Sequence, residues 1–310
     1  MRAVVVRDFG GPEALRTIET AVPEPGPGQV RIAVEAASVN PVDLGVRSGA
    51  IVRIGFAEPR EQVGLGWDVA GTVDAVGDGA GFAVGDRVIG LIDRLDLPLG
   101  GYAEYAVLDR ADVGFAPRHG TAAQAATIPL IGLTAAQGLD LLGLAPGDTL
   151  LVTGAAGGVG GFAVELAVAR GLRVLAAAGP GDEALVRELG AAHFVSRDED
   201  VAAAARRYVP GGVDGVLDAA LLKVAALEAV RGGGSFVAVS LGSEPVPRRG
   251  TRVANVWVRA DGSRLTELAA LADEGRLTLR VAETFPLHEA PAAHARLAAG
   301  GLRGRLVLLP

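Results

Sequence analysis

The stretch LLVTGAAGGVGGFAVELAVARG, residues 150–171, runs from apolar residues through a cluster of glycines into a segment whose apolar residues recur at helical spacing. Within it, Ala155, Gly157, Gly158, Val159 and Gly160 belong to an A-x-G-x-x-G pattern, a dinucleotide fingerprint in which alanine replaces the first glycine. Gly157 would let the backbone approach a pyrophosphate. Gly160 would let the helix lie close on the strand, and the helix N-terminus would offer unpaired N–H groups and a positive dipole end. A tight turn alone would also use these glycines, but the strand before and the long helix after favour a nucleotide site.

Outward from this turn, the chain from Thr121 alternates Ala-rich helical stretches with short apolar runs: LLV, RVLAAA, GVLDAA and FVAVSL. That alternation predicts a parallel sheet with crossover helices. Before about Pro117 the texture differs. VRIAVEAASV, DVAGTVDAV, DRVIGLI and YAEYAVL are short runs broken by Gly and Pro, and they predict antiparallel strands. After residue 262 come a helix over 263–275, a short strand, a helix from about His288 to Ala299 and a final strand RLVLL. Periodicity leaves open whether this tail extends the parallel sheet or returns to the first part.

The 310 residues, half of them hydrophobic, can bury a large core and suit two domains. Thirty-six acidic against 29 basic residues disfavour nucleic acid and anionic membrane as partners, so a small molecule is the expected one. The absence of cysteine removes disulfides, a thiol nucleophile and thiolate metal sites. Charge follows the first six residues, and no apolar run reaches the length of a membrane span, so a cytoplasmic protein is expected.

Where the strand RVLAAA ends, a carboxylate would hold the ribose hydroxyls of NAD. Here Ala178 and Gly179 stand at the tip, which favours NADPH without excluding NADH. Arg197, beyond the next strand, is the nearest cation for a 2′-phosphate, and it reads equally as a solvated surface residue. Asp182 and Glu183 also follow the tip.

The segments MRAVVV, ASVNPVDLGVRSG, GWDVAGTVDAVG, FAVGDRVIG, GGYAEYAVL, IGLTAAQGL, the glycine loop, ELGAAHFV and GLRGRLVLL occur in this order along the whole chain. Together they resemble the medium-chain dehydrogenase/reductase superfamily in its zinc-independent quinone oxidoreductase branch. The resemblance implies an α/β chain: a GroES-like β-barrel substrate domain over 1–118 and 263–310, with a doubly wound Rossmann domain over 119–262 inserted in it. It also implies NADPH in the interdomain cleft and hydride delivery to a quinone or enone. An enoyl-thioester reductase and a non-catalytic NADPH-binding protein are the alternatives; an alcohol dehydrogenase is disfavoured.

Residue by residue, the resemblance implies that Asn40 and Asp43 stand where zinc-bearing relatives have a cysteine ligand and a nearby polar residue, and Trp67-Asp68 where they have His-Glu. None of the four histidines, 119, 193, 288 and 294, falls in a ligand pattern, so no metal is expected. Asn40 is then the expected donor to the substrate oxygen, with Asp43 orienting its neighbours. Thr134 matches a residue near the nicotinamide ribose and phosphate, and Ser240 and Leu241 match the loop beside the nicotinamide. Val42, Leu44 and Leu241 would line an apolar pocket. The chain departs from the family where a tyrosine is common, at Leu44 and Gly45, and in the turn Ala219-Ala220-Leu221, usually richer in glycine. Tyr102 and Tyr105 read as packing residues. Relatives pair through an edge strand of the Rossmann sheet, and 251–260, TRVANVWVRA, is the expected edge of a homodimer.

Overall fold

Val30, Ile32 and Val34 alternate with Arg31, Ala33 and Glu35, and this period of two builds the long strand Gln29–Val39 on which one half of the chain is assembled. The structure is a computed structural model that describes residues 1–95 and 97–310, and it divides into two compact units. One comprises Met1–Leu130, Arg259–Asp273 and Leu279–Pro310; the other comprises Ile131–Val258 and Glu274–Thr278.

In the first unit, β1 (Arg2–Val6) pairs with β2 (Leu15–Glu19) and with β4 (Val63–Gly64). The long β3 (Gln29–Val39) pairs antiparallel with β5 (Asp68–Val76) and β7 (Tyr105–Asp109), and β5 continues to β6 (Arg87–Leu91) and β8 (Val113–Phe115). On the other side of β3 lie β16 (Arg305–Leu309) and β15 (Val281–Pro286), so the C-terminal tail belongs to this unit. Helices α1 (Pro41–Arg47), α2 (Ala50–Arg53), α3 (Ala122–Ala125), α9 (Gly262–Asp273) and α10 (Ala290–Ala298) complete it. Its core includes Val30, Ile32, Val69, Val73, Val88 and Leu306.

The limits drawn from the sequence, 118/119 and 262/263, differ from these units. The short α3 packs on β3, and Ser38 Oγ donates to the Ala126 carbonyl (2.7 Å), which holds the residues after 118 to the first unit. At the other limit, α9 packs on β8.

The second unit is a six-stranded, wholly parallel sheet in the order β11-β10-β9-β12-β13-β14. The strands are β9 (Thr149–Thr153), β10 (Arg173–Ala178), β11 (His193–Ser196), β12 (Val213–Asp218), β13 (Val230–Ala238) and β14 (Arg252–Asn255). Helices α4 (Pro129–Leu142), α5 (Gly158–Ala169), α6 (Glu183–Glu188), α7 (Val201–Tyr208) and α8 (Val224–Leu227) accompany them, with the unit boundary in the first turn of α4. Strand β9 is buried at all five positions, as a strand covered on both faces must be. The order doubles back between β9 and β12, the place where such sheets open a ligand crevice beyond their C-terminal ends.

One expectation needs correcting. The helical stretch Ala122–Leu142 is long and apolar enough to cross a membrane, contrary to the sequence reading; 83% of its most apolar window is buried inside the protein, which explains the composition as that of a core helix.

Candidate active site

In the second unit, the chain leaves β9 through Gly154, whose φ of +63° is the left-handed conformation that a side chain disfavours. Gly154 therefore makes the tight turn that the first glycine of the fingerprint usually makes, one residue before the position where the sequence pattern places it. Ala155 is fully buried, and its N–H donates to Ala177 of the next strand (3.1 Å). A Cβ on Gly160 would lie 2.2 Å from the Gly154 carbonyl oxygen, so only glycine lets α5 come this close. Gly157 is different. It is the extended N-cap of α5 with no side-chain cap, and a Cβ there would meet only Gly154 O, at 3.1 Å. In the first turn that follows, the N–H groups of Gly158, Val159 and Gly160 have no acceptor within the helix. The result is a backbone cradle with donors and a positive dipole end, and it fits a nucleotide pyrophosphate.

The neighbouring loops close on this cradle. The position of a Gly154 Cβ is 3.1 Å from the Ala219 carbonyl, and Thr153 Oγ1 donates to Asp218 (2.5 Å) and accepts from Ala220 N–H (3.0 Å). Leu221 and Lys223 carry positive φ angles of 59° and 53°, so the turn that lacks the family's glycines still adopts glycine-like backbone. At the tip of β10, the position of a Gly179 Cβ is 3.6 Å from Arg197 Cζ and 2.9 Å from Asp182 Oδ2. A cation and an acid thus both flank Gly179. The Arg197 side chain is 69% exposed, with Asp198 no nearer than 3.9 Å. Thr134 is buried in α4, and Ser240 and Leu241 are half-buried after β13.

The other site residues lie in the first unit. Asn40 and Asp43 start α1: Pro41 opens the helix, and Asp43 Oδ2 reaches back to accept the Asn40 N–H (2.9 Å). Asp43 also accepts from Gly66 N–H (3.0 Å) and from the Tyr102 hydroxyl (3.0 Å). Asn40 Nδ2 donates to Asp68 Oδ2 (2.8 Å) and to the Ser38 carbonyl (3.3 Å), while its Oδ1 accepts from Arg305 Nη2. Arg305 also donates to the Val39 carbonyl (2.9 Å), stands 3.9 Å from Asp68, and leaves its buried Nε without a partner among the described residues. Asn40 is fully buried with both amide hydrogens engaged. The expectation that it donates to a substrate oxygen gives way to another role: it ties Asp68 to Arg305.

Burial pushes both the Asp43 and the Asp68 carboxyls up to about 6; for Asp68 the Arg305 charge works against that rise. Tyr102, read from the sequence as packing, is fully buried yet polar in its role. Arg47 Nη1 lies 3.3 Å from His294 Nδ1, and His294 Nε2 lies 3.3 Å from Tyr102 Oη. Arginine can only donate, so Nδ1 accepts and the proton of the neutral ring sits on Nε2. Burial first, and Arg47 second, lower the His294 pKa to about 3. The hydrogen bonds therefore run one way, from Arg47 through His294 and Tyr102 to Asp43. Tyr102→Phe is expected to leave the His294 Nε2–H unpaired and Asp43 one donor short. It should cost about 1–3 kcal/mol in chemical denaturation, and no loss would remove the hydroxyl from the network.

Sequence reading missed Arg305, His294 and Arg47, because each reaches its partner across hundreds of residues. Asn255, at the end of β14, was also missed.

A family profile described as an alcohol dehydrogenase GroES-like domain matches residues 26–118, and one described as a zinc-binding dehydrogenase matches residues 189–308. The chain is 37% identical over 302 residues to the spectinabilin polyketide synthase system protein NorB of Streptomyces orinoci, covering 91% of this chain and 13% of that protein's length. It is 33% identical to a quinone oxidoreductase of Pongo abelii, covering 100% of this chain and 98% of that one. The solved structure of a quinone oxidoreductase from Coxiella burnetii superposes with a TM-score of 0.87 at 29% identity, over 100% of this chain and 99% of that chain. The zinc named by the second profile does not fit the residues present. There is no cysteine, and no group of three or more His, Asp or Glu that could hold an ion occurs among the described residues. A guanidinium already faces Asn40 and Asp68.

Proposed function

Since the chain belongs to the medium-chain dehydrogenase/reductase superfamily, in its quinone oxidoreductase branch, we propose that it is an NADPH-dependent oxidoreductase that reduces a quinone or an α,β-unsaturated carbonyl compound without a metal. The observation that carries this reading is the glycine cradle at the C-terminal edge of the doubly wound sheet. A bound nicotinamide nucleotide would supply the hydride. The chain's own work is then to hold and orient. The first-turn N–H groups of α5 hold the pyrophosphate, and Arg197 over Gly179 offers a cation to a 2′-phosphate. The network around Asn40, Asp43, Asp68 and Arg305 keeps the start of α1 in place. With both Asn40 amide hydrogens engaged, Asn40 leaves the substrate oxygen to other donors, and the proton that completes the reduction comes from water. Pairing of two copies along the open edge of β14 belongs to the same reading.

The likeness to a polyketide synthase segment favours a second reading, in which the acceptor is an enoyl thioester. One assay separates them: loss of reduced-nucleotide absorbance with an ortho-quinone, a simple enone and a crotonyl thioester, each with NADPH and with NADH. Rapid NADPH-dependent turnover of the quinone or enone is expected. Turnover of the thioester alone would install the second reading, and binding without turnover of any acceptor would leave a nucleotide-binding protein. In the same assay Arg197→Ala should weaken NADPH by about tenfold or more and leave NADH unchanged. Equal effects on both nucleotides would remove Arg197 from the 2′-phosphate site.

A further inference from the structure

Asn255 ends β14, and its side-chain amide is held in a single orientation. Nδ2 donates to the Ser240 carbonyl (2.5 Å) and to Glu244 Oε2 (2.8 Å). Both partners are acceptors, so the amide nitrogen must face them and Oδ1 must point elsewhere. Glu244 stays a carboxylate: its own N–H, the Asn255 amide and the charge of Lys223, the chain's single lysine, hold its pKa below the usual range. The amide is thus locked. Its Oδ1 is shielded from solvent and has no hydrogen-bond partner among the described residues, so a donor arriving there would relieve a standing desolvation cost.

The position tells which donor. Asn255 pairs with Ala238, Ala238 with Asp218, and Asp218 with Thr153, the residue before Gly154. One row across the C-terminal ends of four strands therefore joins the glycine turn to Asn255, over three strand spacings or roughly 14 Å. It runs away from β10, whose tip carries Gly179 and Arg197. A dinucleotide laid across the place where the strand order reverses sends its adenosine half toward β10 and its nicotinamide half toward β13 and β14.

We propose that Asn255 Oδ1 accepts an N–H of the nicotinamide carboxamide, with Ser240 and Glu244 serving to aim it. The inference rests on the nicotinamide reading of the site. Asn255 is then a cofactor-orienting residue, and it recognises the amide that distinguishes nicotinamide from other pyridines.

The test is chemical on the cofactor side. Titration calorimetry on the full chain would compare NADP⁺ with its 3-acetylpyridine analogue, which has a methyl where the carboxamide has NH₂, in the wild type and in Asn255→Ala. The wild type should bind NADP⁺ about tenfold more tightly than the analogue, and the variant should discriminate by less than about twofold. Should thermal melts show that the alanine variant does not fold, Asn255→Ser is used in its place. The same discrimination in wild type and variant, or none in the wild type, overturns the inference while leaving the cofactor reading intact. Failure of the wild type to bind NADP⁺, NADPH, NAD⁺ or NADH at all overturns both.

Discussion

Gly157→Asp should weaken NADPH binding by at least a hundredfold while leaving the melting temperature within a few degrees of wild type. The two halves of this expectation have separate causes. A Cβ at Gly157 meets only Gly154 O at 3.1 Å, a contact that asks the neighbour to give by a few tenths of an ångström, and the backbone there is extended at φ −77° and ψ −173°, so the side chain has no strained conformation to adopt. Aspartate is among the best N-cap residues, a few tenths of a kcal/mol better than glycine, so α5 recovers part of what the crowding costs. The same carboxylate stands where the cradle presents its N–H groups. It occupies those donors, cancels the helix dipole and repels a dianionic pyrophosphate. Gly160→Ala makes the contrasting control. Its Cβ would collide with Gly154 O at 2.2 Å, so that variant should lose stability first and binding only as a consequence. Thermal melts and calorimetric titration measure both quantities. Wild-type affinity in Gly157→Asp would remove the turn from the cofactor site.

Arg305→Met should destabilise the chain by about 3–5 kcal/mol at pH 8, and by much less at pH 5. The guanidinium is buried beside Asp68 and bonded to Asn40 Oδ1 and the Val39 carbonyl. Methionine fills much of the volume but leaves an uncompensated carboxylate in the core. Asp68 titrates at about 6 in the folded chain, above its range in an unfolded one, because burial outweighs the attraction of Arg305. Folding therefore takes up a proton between those values, and the stability this group contributes at low pH is lost as pH rises through the folded pKa. Removing Arg305 raises that pKa further and enlarges the penalty on the alkaline side. Urea denaturation at the two pH values reads the difference. Asp68→Asn in the same background should restore part of the loss, since Asn40, freed from Arg305, can turn its amide to present Oδ1. A loss independent of pH would mean that Arg305 acts through packing alone.

Much of the architecture was legible because it is written locally. The period of two in 30–34, the alternation of short apolar runs with Ala-rich stretches after 121, and the glycines between β9 and α5 each depend on neighbours within a few residues. Even there, chain geometry shifted one assignment. The sequence pattern put alanine where the first glycine should stand, whereas the φ of Gly154 shows that the turn glycine is simply one residue earlier. The strand LLVT running directly into a glycine was the signal for it.

Asn255 was not legible because its partners Ser240 and Glu244, 15 and 11 residues back, come to it only once β13 and β14 pair; the polar network was not legible because of separation along the chain. Arg305 meets Asn40 across 265 residues, and His294 meets Tyr102 across 192. No spacing rule links such pairs, since a side chain's partners there depend on which strands pair. Asn40, expected from the sequence to face a substrate oxygen, became the link between a buried acid and a buried guanidinium only when β16 paired with β3. The strand-turn-helix of the nucleotide cradle was thus determined by the sequence itself, through backbone rules that act within one turn. What those buried groups do was decided by the tertiary structure, because burial and long-range pairing choose whether a polar side chain faces a ligand or another residue of the chain.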